Sequence, residues 1–422
     1  MRRRAKVHGP VDQRSVRRHN LGLVLRHVAE QGPRSRARIA METGLNKTTV
    51  SSLAAELIER GLLREAGTEN PSAAGRPGVK LALSGDSVAA LGLEINVDYL
   101  AACATDLAGR LRHRAFVPCE NRGRPPERVI DDLATLAKGA LDVLSSQGVE
   151  PVAATVALPG LVDLSQKTLL IGPNLGWTET PVAALLGERL GAGLLPVRVG
   201  NDADFGALAE LWEGVGRQVR DFVFVYGAIG VGAGLVAGGD LLRGASGFGG
   251  ELGHVTVDRD GLRCACGNSG CLELYAGQEA LLRLAGMPLP PPGESDVRWP
   301  ALLAEKARAG DARVLDALSE VAGWLAVGLG ALVNLFDPTA IVLGGNFAPL
   351  AEWLVERIER EVRAHVLGAR WSSCRVLASK LGEGAAVRGA AAFALHEVLA
   401  DPGAIYRRGE GASLEAVARG GW

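Results

Sequence analysis

Aromatic residues make up only 5% of this 422-residue chain, and it holds just three methionines and six cysteines. Six cysteines over this length are too few for a disulfide framework of the kind secreted domains carry. No uninterrupted run of about eighteen apolar residues marks a membrane span. Met1-Arg2-Arg3-Arg4 is not followed by the apolar core of a secretory signal. The expectation is a soluble, cytoplasmic protein. An excess of one charge sign is missing too, since the net charge is −1. The length leaves room for two or three domains.

The near-zero total hides an asymmetry. Residues 1–80 hold 16 Lys and Arg against 7 Asp and Glu, whereas the remainder holds 30 against 40. A basic amino-terminal module on an acidic body points to a polyanionic partner for the first part alone. Arg outnumbers Lys several-fold throughout, so the imbalance between the two parts carries that argument, not the Arg content.

Half of the scarce cysteines sit together, as Cys264-x-Cys266-x4-Cys271, with His254 ten residues upstream. Three thiolates and one imidazole complete the tetrahedral shell of a structural zinc site and leave no position open for a reactive water. Gly267 and Gly270 let the backbone fold the sulfurs onto one point. Two carboxylates ride on the same loop. Glu251 precedes His254 by three residues, and Glu273 follows Cys271 by two. Sugar recognition sums many weak hydrogen bonds and needs rigid partners, which a metal-pinned loop provides.

Ahead of residue 84, Leu21, Val24, Leu25 and Val28 fall at the spacing of an amphipathic helix, stopped by Gly32-Pro33. Ser35 can cap a short helix to about Thr43, Gly44 supplies the turn, and Asn46 caps a third helix with an apolar stripe from Val50 to Ile58. Its other face offers Lys47, Thr48, Thr49, Ser51 and Ser52. This is the order of a helix-turn-helix, whose last helix enters the major groove of double-stranded DNA. Arg36 and Asn46 are further candidate DNA contacts. Leu62–Arg64 and Val79–Leu83 are expected as the strands of a wing spanning roughly 66–80, with Arg76 presented between Gly75 and Pro77 to a narrow minor groove. A three-helix module that binds protein is the competing reading, and the basic charge argues against it.

Residues 84–400 alternate strands and helices as a two-lobed α/β body, divided near 200, with a tail after 401. Strands are expected at Leu91–Ile95, Leu100–Thr105, Val152–Leu158, Val197–Gly200, Asp221–Tyr226 and Ile341–Leu343. Helices are expected near Pro126–Gln147, Val182–Leu190, Ala207–Trp212, Asp311–Phe336, Leu350–Leu367 and Gly384–Leu399. Asn201-Asp202 stands at the carboxyl end of a strand, where open α/β sheets place ligands. Asp202 can accept a proton from a sugar hydroxyl or hydrogen-bond to it. The glycine run Gly227–Gly234 can cradle phosphate or pack backbone closely.

The string from Pro159-Gly160 through Asn174, Asn201-Asp202, the glycine run, Glu251-x-x-His254 and Cys264-x-Cys266-x4-Cys271-x-Glu273 to Gly344-Gly345 resembles the ROK family of repressors and sugar kinases. The resemblance spans about residues 88–400. With a winged helix-turn-helix in front, the chain resembles the family's xylose-repressor and N-acetylglucosamine-repressor branch. It implies an actin-like, ribonuclease-H-like pair of lobes. It also implies zinc on His254, Cys264, Cys266 and Cys271, and a sugar bound by Gly160, Asn174, Asn201, Asp202, Glu251, His254 and Glu273. Asp202 takes the position of the kinase base. One departure matters: the family's kinases open with Asp-x-Gly-Gly-Thr, where this chain reads Glu94-Ile95-Asn96-Val97-Asp98. Two side chains replace glycines, and Asp98 repels phosphate.

The expectation is therefore a non-enzymatic repressor of carbohydrate genes. It would act as a homodimer or homotetramer on an operator and be released by a sugar. An active sugar kinase that also binds DNA, and a repressor controlled by a protein partner, are the rivals.

Overall fold

The computed structural model describes residues 13–69, 78–291 and 297–403. Arg76, most of the expected wing loop and nearly all of the tail lie outside them.

The amino-terminal unit forms as its caps dictate. Helix α1 (Gln13–Gln31) is followed by the short strand β1 (Arg34–Ser35), α2 (Arg36–Thr43), α3 (Lys47–Glu59) and strands β2 (Leu63–Glu69) and β3 (Gly78–Leu83). The Ser35 hydroxyl accepts from Arg38 N, and the Asn46 side chain accepts from Thr49 N, each satisfying an orphan amide of a first turn. Gly44, at φ 74°, ends α2. The three strands form one sheet in the order β1-β3-β2. This is a winged helix-turn-helix.

The first lobe holds β4 (Val88–Ile95), β5 (Tyr99–Asp106), β6 (Leu111–Pro118), α4 (Pro126–Ser146) and β7 (Glu150–Leu158). A small sheet follows, β8 (Leu161–Asp163), β9 (Thr168–Gly172) and β10 (Trp177–Thr180), then α5 (Val182–Leu190) and β11 (Val197–Asn201). The second lobe opens with α6 (Asp202–Glu213), β12 (Phe222–Gly227), β13 (Val231–Ala237) and β14 (Asp240–Leu241). After the cysteine loop come α7 (Glu273–Ala276), α8 (Gln278–Leu284), α9 (Trp299–Arg308), α10 (Ala312–Phe336), β15 (Ala340–Gly345), α11 (Ala351–His365) and β16 (Arg375–Ala378). The last helix is α12 (Ala385–Ala400).

The two main sheets share one plan. The first runs β6-β5-β4-β7-β11 and the second β14-β13-β12-β15-β16; in each, an antiparallel three-strand meander is extended by two parallel strands beside its first. That repetition is the ribonuclease-H-like pair of lobes. Parallel strands need both faces covered, and β4, β7, β12 and β15 are apolar almost throughout.

Two differences from the sequence reading are instructive. The return strand β13 begins at Val231, not Leu235, because Gly232 and Gly234 lie inside it against α6. A methyl on Gly232 would sit 3.0 Å from the Ala203 side chain, and one on Gly234 would sit 2.5 Å from that of Ala207. These glycines let a helix lie close on a strand. The helix α10 has the length and apolarity of a membrane span, which was not expected, and here it runs through the second lobe's core with Leu318, Val321, Leu325 and Leu329 buried.

The final helix, expected with the second lobe, lies between the lobes. It packs on α6 and also on β4, β5 and β7, while its carboxyl half packs on α1. Leu21, Val24, Leu25 and Val28 of α1 share one apolar cluster with Ala394, Leu395, Val398 and Leu399 of α12 and with Val88 and Val152 of the first lobe. Gly22 is glycine for the same reason, since any side chain there would run into the Ala400 carbonyl.

Candidate functional site

The cleft between the lobes is built around the β11–α6 junction. Strand β11 lies parallel to β7 and ends at Asn201, so its carboxyl end opens where ligands bind in such sheets. The Asn201 amide does two jobs. Its oxygen caps α6 by accepting from Asp204 N at 3.1 Å, and its nitrogen donates to the Gly160 carbonyl at 3.2 Å. Gly160 has φ 129°, and a side chain there would strike the Ile171 carbonyl, so only glycine fits.

Asp202, first residue of α6, is buried and accepts from Ala203 N at 2.8 Å. Burial, reinforced by the nearby charge of Glu94, pushes its carboxyl well above the usual carboxylate range. Two residues on, buried Asp204 holds Arg243 at 2.9 Å, tying the helix start to the segment that leads into Glu251. Burial likewise raises the Glu251 carboxyl, against the pull of His254.

Across the cleft, the Asn174 amide of the first lobe donates to Glu273 Oε2 of the second at 3.3 Å. The other oxygen of Glu273 lies 3.6 Å from His254 Nδ1 and accepts from the Cys264 thiol at 3.1 Å. Gly230 completes this corner, because a side chain on it would crowd the Glu273 carboxylate and stand 3.0 Å from Asn174 Nδ2. Gly160, Asn201 and Asp202 thus meet on one wall, and Asn174, His254 and Glu273 on another. Glu251 is linked to both by charge.

The ligand atoms of His254, Cys264, Cys266 and Cys271 all lie within 4.8 Å of one another, and the cluster can hold a metal ion. The Cys266 and Cys271 sulfurs are 3.7 Å apart, close to the roughly 3.8 Å that tetrahedral bonds of about 2.3 Å impose. Burial pushes the Cys264 and Cys271 thiols up. A bound cation reverses that, since it coordinates the thiolate. Gly270, at φ 71°, approaches the Asp258 carbonyl so closely that no side chain fits, which folds the loop back on itself.

One constellation was not foreseen. Glu94, fully buried in β4, accepts on Oε1 from the hydroxyls of Tyr99 at 2.6 Å and Tyr226 at 2.9 Å, and the two hydroxyls stand 3.0 Å apart. Desolvation raises the Glu94 carboxyl to about 7. Tyrosines number only four in the chain. That scarcity, with Tyr99 placed just past the departing Glu94–Asp98 stretch, was the available signal.

On α3, Lys47, Thr48, Ser51 and Ser52 are exposed and Thr49 is half-buried. Not every expected contact is free. The Asn46 oxygen serves its cap, Ser52 Oγ lies 3.4 Å from Arg17 Nη2, and Arg36 pairs with Glu65 at 3.2 Å.

Comparison with known proteins agrees with this architecture. The ROK family profile matches residues 90–397, and that of the MarR family residues 22–71. A putative xylose repressor of Caldicellulosiruptor is 32% identical over 92% of this chain and 98% of its own. A crystal structure of a ROK family transcriptional regulator, a homologue of the E. coli MLC protein, superposes with a TM-score of 0.73 at 26% identity, covering 92% of this chain and 97% of that one. A ROK family glucokinase from Streptomyces griseus, solved with glucose and AMPPNP, gives 0.63 at 31% identity over 72% of this chain and 98% of its own. The chain belongs to the ROK family.

Proposed function

We propose that this protein is a DNA-binding transcriptional regulator, a repressor of carbohydrate-metabolism genes whose hold on its operator is weakened by a sugar in the interlobe cleft. The observation that carries this reading is α12. One helix packs at one end on α6, which presents Asp202 to the cleft, and at the other on α1 of the winged helix. The named relative matched over nearly its whole length, a putative xylose repressor, supports the same reading.

In this reading the sugar is held by Gly160, Asn174, Asn201, Asp202, Glu251, His254 and Glu273, with Asp202 binding a hydroxyl rather than activating it. Zinc sits on His254, Cys264, Cys266 and Cys271. It fixes the loop carrying Glu251 and Glu273 and takes no part in chemistry. Lys47, Thr48, Thr49, Ser51 and Ser52 face the major groove, with Arg36 and Asn46 at the edge of that surface and Arg76 on the wing. A homodimer or homotetramer spaces two readers about 34 Å apart on half-sites, and the protein works in the cytoplasm, beside its operator. The ligand shifts the balance of lobe arrangements only by its differential affinity for them, typically about 1–3 kcal/mol of coupling. The protein is not a kinase in this reading, because Glu94–Asp98 crowds the phosphate end of the cleft.

The test is operator binding, by fluorescence anisotropy, across a panel of pentoses, hexoses and N-acetylated amino sugars. A cognate sugar lowers operator affinity. A panel without effect would overturn the sensor, and sugar-dependent release of ADP from ATP would restore the kinase.

A further inference from the structure

Beside the Asp202 wall, the carboxyl ends of β12 and β15 stand side by side at Gly227 and Gly345. This is where a doubly wound sheet takes a ligand. The crevice there, between Asn96, Tyr99, Phe116, Tyr226 and Asn346, has room for about one water molecule.

Aromatic rings fill the rest. Tyr99 lies on Phe116 with ring centres 4.7 Å apart. Tyr226 reaches across from the second lobe to share Glu94 Oε1 with Tyr99. The glycines at the two strand ends serve these rings. A methyl on Gly227 would stand 2.7 Å from the Phe347 ring, and one on Gly345 would strike the Gly227 carbonyl at 2.2 Å and the Tyr226 ring at 2.8 Å. Residues that elsewhere bring backbone close to an anion here bring it close to an arene.

We propose that Tyr226 and Tyr99, clasped by Glu94, are the specificity-determining residues that keep nucleotides out of the cleft, so that it accepts a neutral sugar and not its phosphoryl donor. The proposal rests on reading the cleft as a sugar site. To enter, a polyphosphate must displace two phenols and break a buried hydrogen-bonded junction between the lobes. It must then lie beside the carboxyl groups of Glu94 and Asp98, both nearly inaccessible to solvent. The Asp98 carboxylate repels it, and in so dry a place that repulsion is strong. The clasp also joins the lobes at this end without any ligand, which leaves the Asn174–Glu273 end as the one a sugar can open or close.

The experiment is calorimetric titration of the full chain with Mg·ADP and Mg·AMPPNP. The wild type and Tyr226→Phe, which keeps the ring, give no binding. Tyr226→Ala and the double variant Tyr99→Ala/Tyr226→Ala gain nucleotide affinity by at least about tenfold, and circular dichroism and operator binding report that they are folded. Should the double variant fail to fold, the same titration of Tyr226→Ala and Tyr99→Ala separately decides. Nucleotide binding by the wild type overturns the proposal, as do folded alanine variants that still exclude nucleotide. If no sugar alters operator affinity while the alanine variants admit nucleotide, the sensor reading falls and the clasp stands.

Discussion

Arg198, three residues before Asn201 on β11, holds Glu397 of α12, with Nε 2.9 Å from Oε1. A second guanidinium bond joins the same pair, and beyond it Arg18 of α1 pairs with Asp401. Polar links therefore run alongside the apolar ones from the cleft wall through the last helix to the DNA reader.

If that line carries the response, cutting it separates binding from release. Arg198→Ala is expected to leave sugar affinity within about twofold while shrinking the sugar-induced loss of operator affinity, a coupling of typically about 1–3 kcal/mol in such systems. Parallel sugar and operator titrations on the variant measure both. An unchanged response assigns the coupling to the apolar contacts alone.

The α1–α12 seam leaves no room for a side chain at position 22. Gly22→Ala forces the two helices apart and is expected to cost roughly 1–3 kcal/mol, the usual penalty of overpacking. Thermal unfolding followed by circular dichroism reads this. The same variant weakens operator binding if the seam fixes the reader's orientation.

Buried Glu94 gives stability a pH signature. Its carboxyl titrates near 7 in the folded protein and at about 4.3 in an unfolded chain. The native state therefore keeps a proton that the unfolded state releases. That contribution is full below about pH 4.3 and is lost as pH rises through 7, on the order of 3–4 kcal/mol. The raised carboxyl of Asp202 acts in the same direction. Glu94→Gln removes the Glu94 share of the slope, which chemical denaturation at pH 5 and pH 7.5 detects by comparison with the wild type.

One equivalent of zinc per chain is expected by plasma emission spectrometry. Cys271→Ser, at a fully buried position, should lose the metal, lower the melting temperature by several degrees and abolish sugar binding while leaving DNA binding of the reader intact. Chelation of the wild type should reproduce the same pattern.

On DNA, Lys47→Ala is expected to weaken binding evenly across sequences. It should also reduce the slope of log K against log salt by about 1, the mark of one lost phosphate contact. Ser51→Ala, lacking a charge, should leave that slope unchanged.

Much of this architecture was legible because the relevant signals are local. Ser35 and Asn46 read as caps and serve as caps, and α5 has the expected limits, because a cap or an amphipathic stripe is set by residues within one or two turns. What escaped was non-local. Strands β8, β9 and β10 are three to five residues long, too short to show alternation, and exist only through pairing with one another. Helix α6 was expected from Ala207 but begins at Asp202; Asn201 as a cap and two aspartates in the first turn marked the true start. The Glu94–Tyr99–Tyr226 junction joins side chains 127 and 132 positions apart, and no sequence period announces such a meeting. The metal cluster was readable because all four ligands fall within eighteen residues, and only the cleft's closure depended on how the lobes dock.

The seam between α1 and α12 has a consequence for how the protein is made. During synthesis the reader emerges long before α12, whose apolar face closes one side of α1. The side of α1 that meets Ala394, Leu395, Val398 and Leu399 stays uncovered until those residues are translated. A chain broken off by a damaged message therefore carries a reader with a sticky, unseated helix, prone to aggregation and quick degradation. Only a chain that extends through α12 can seat its reader against the lobes.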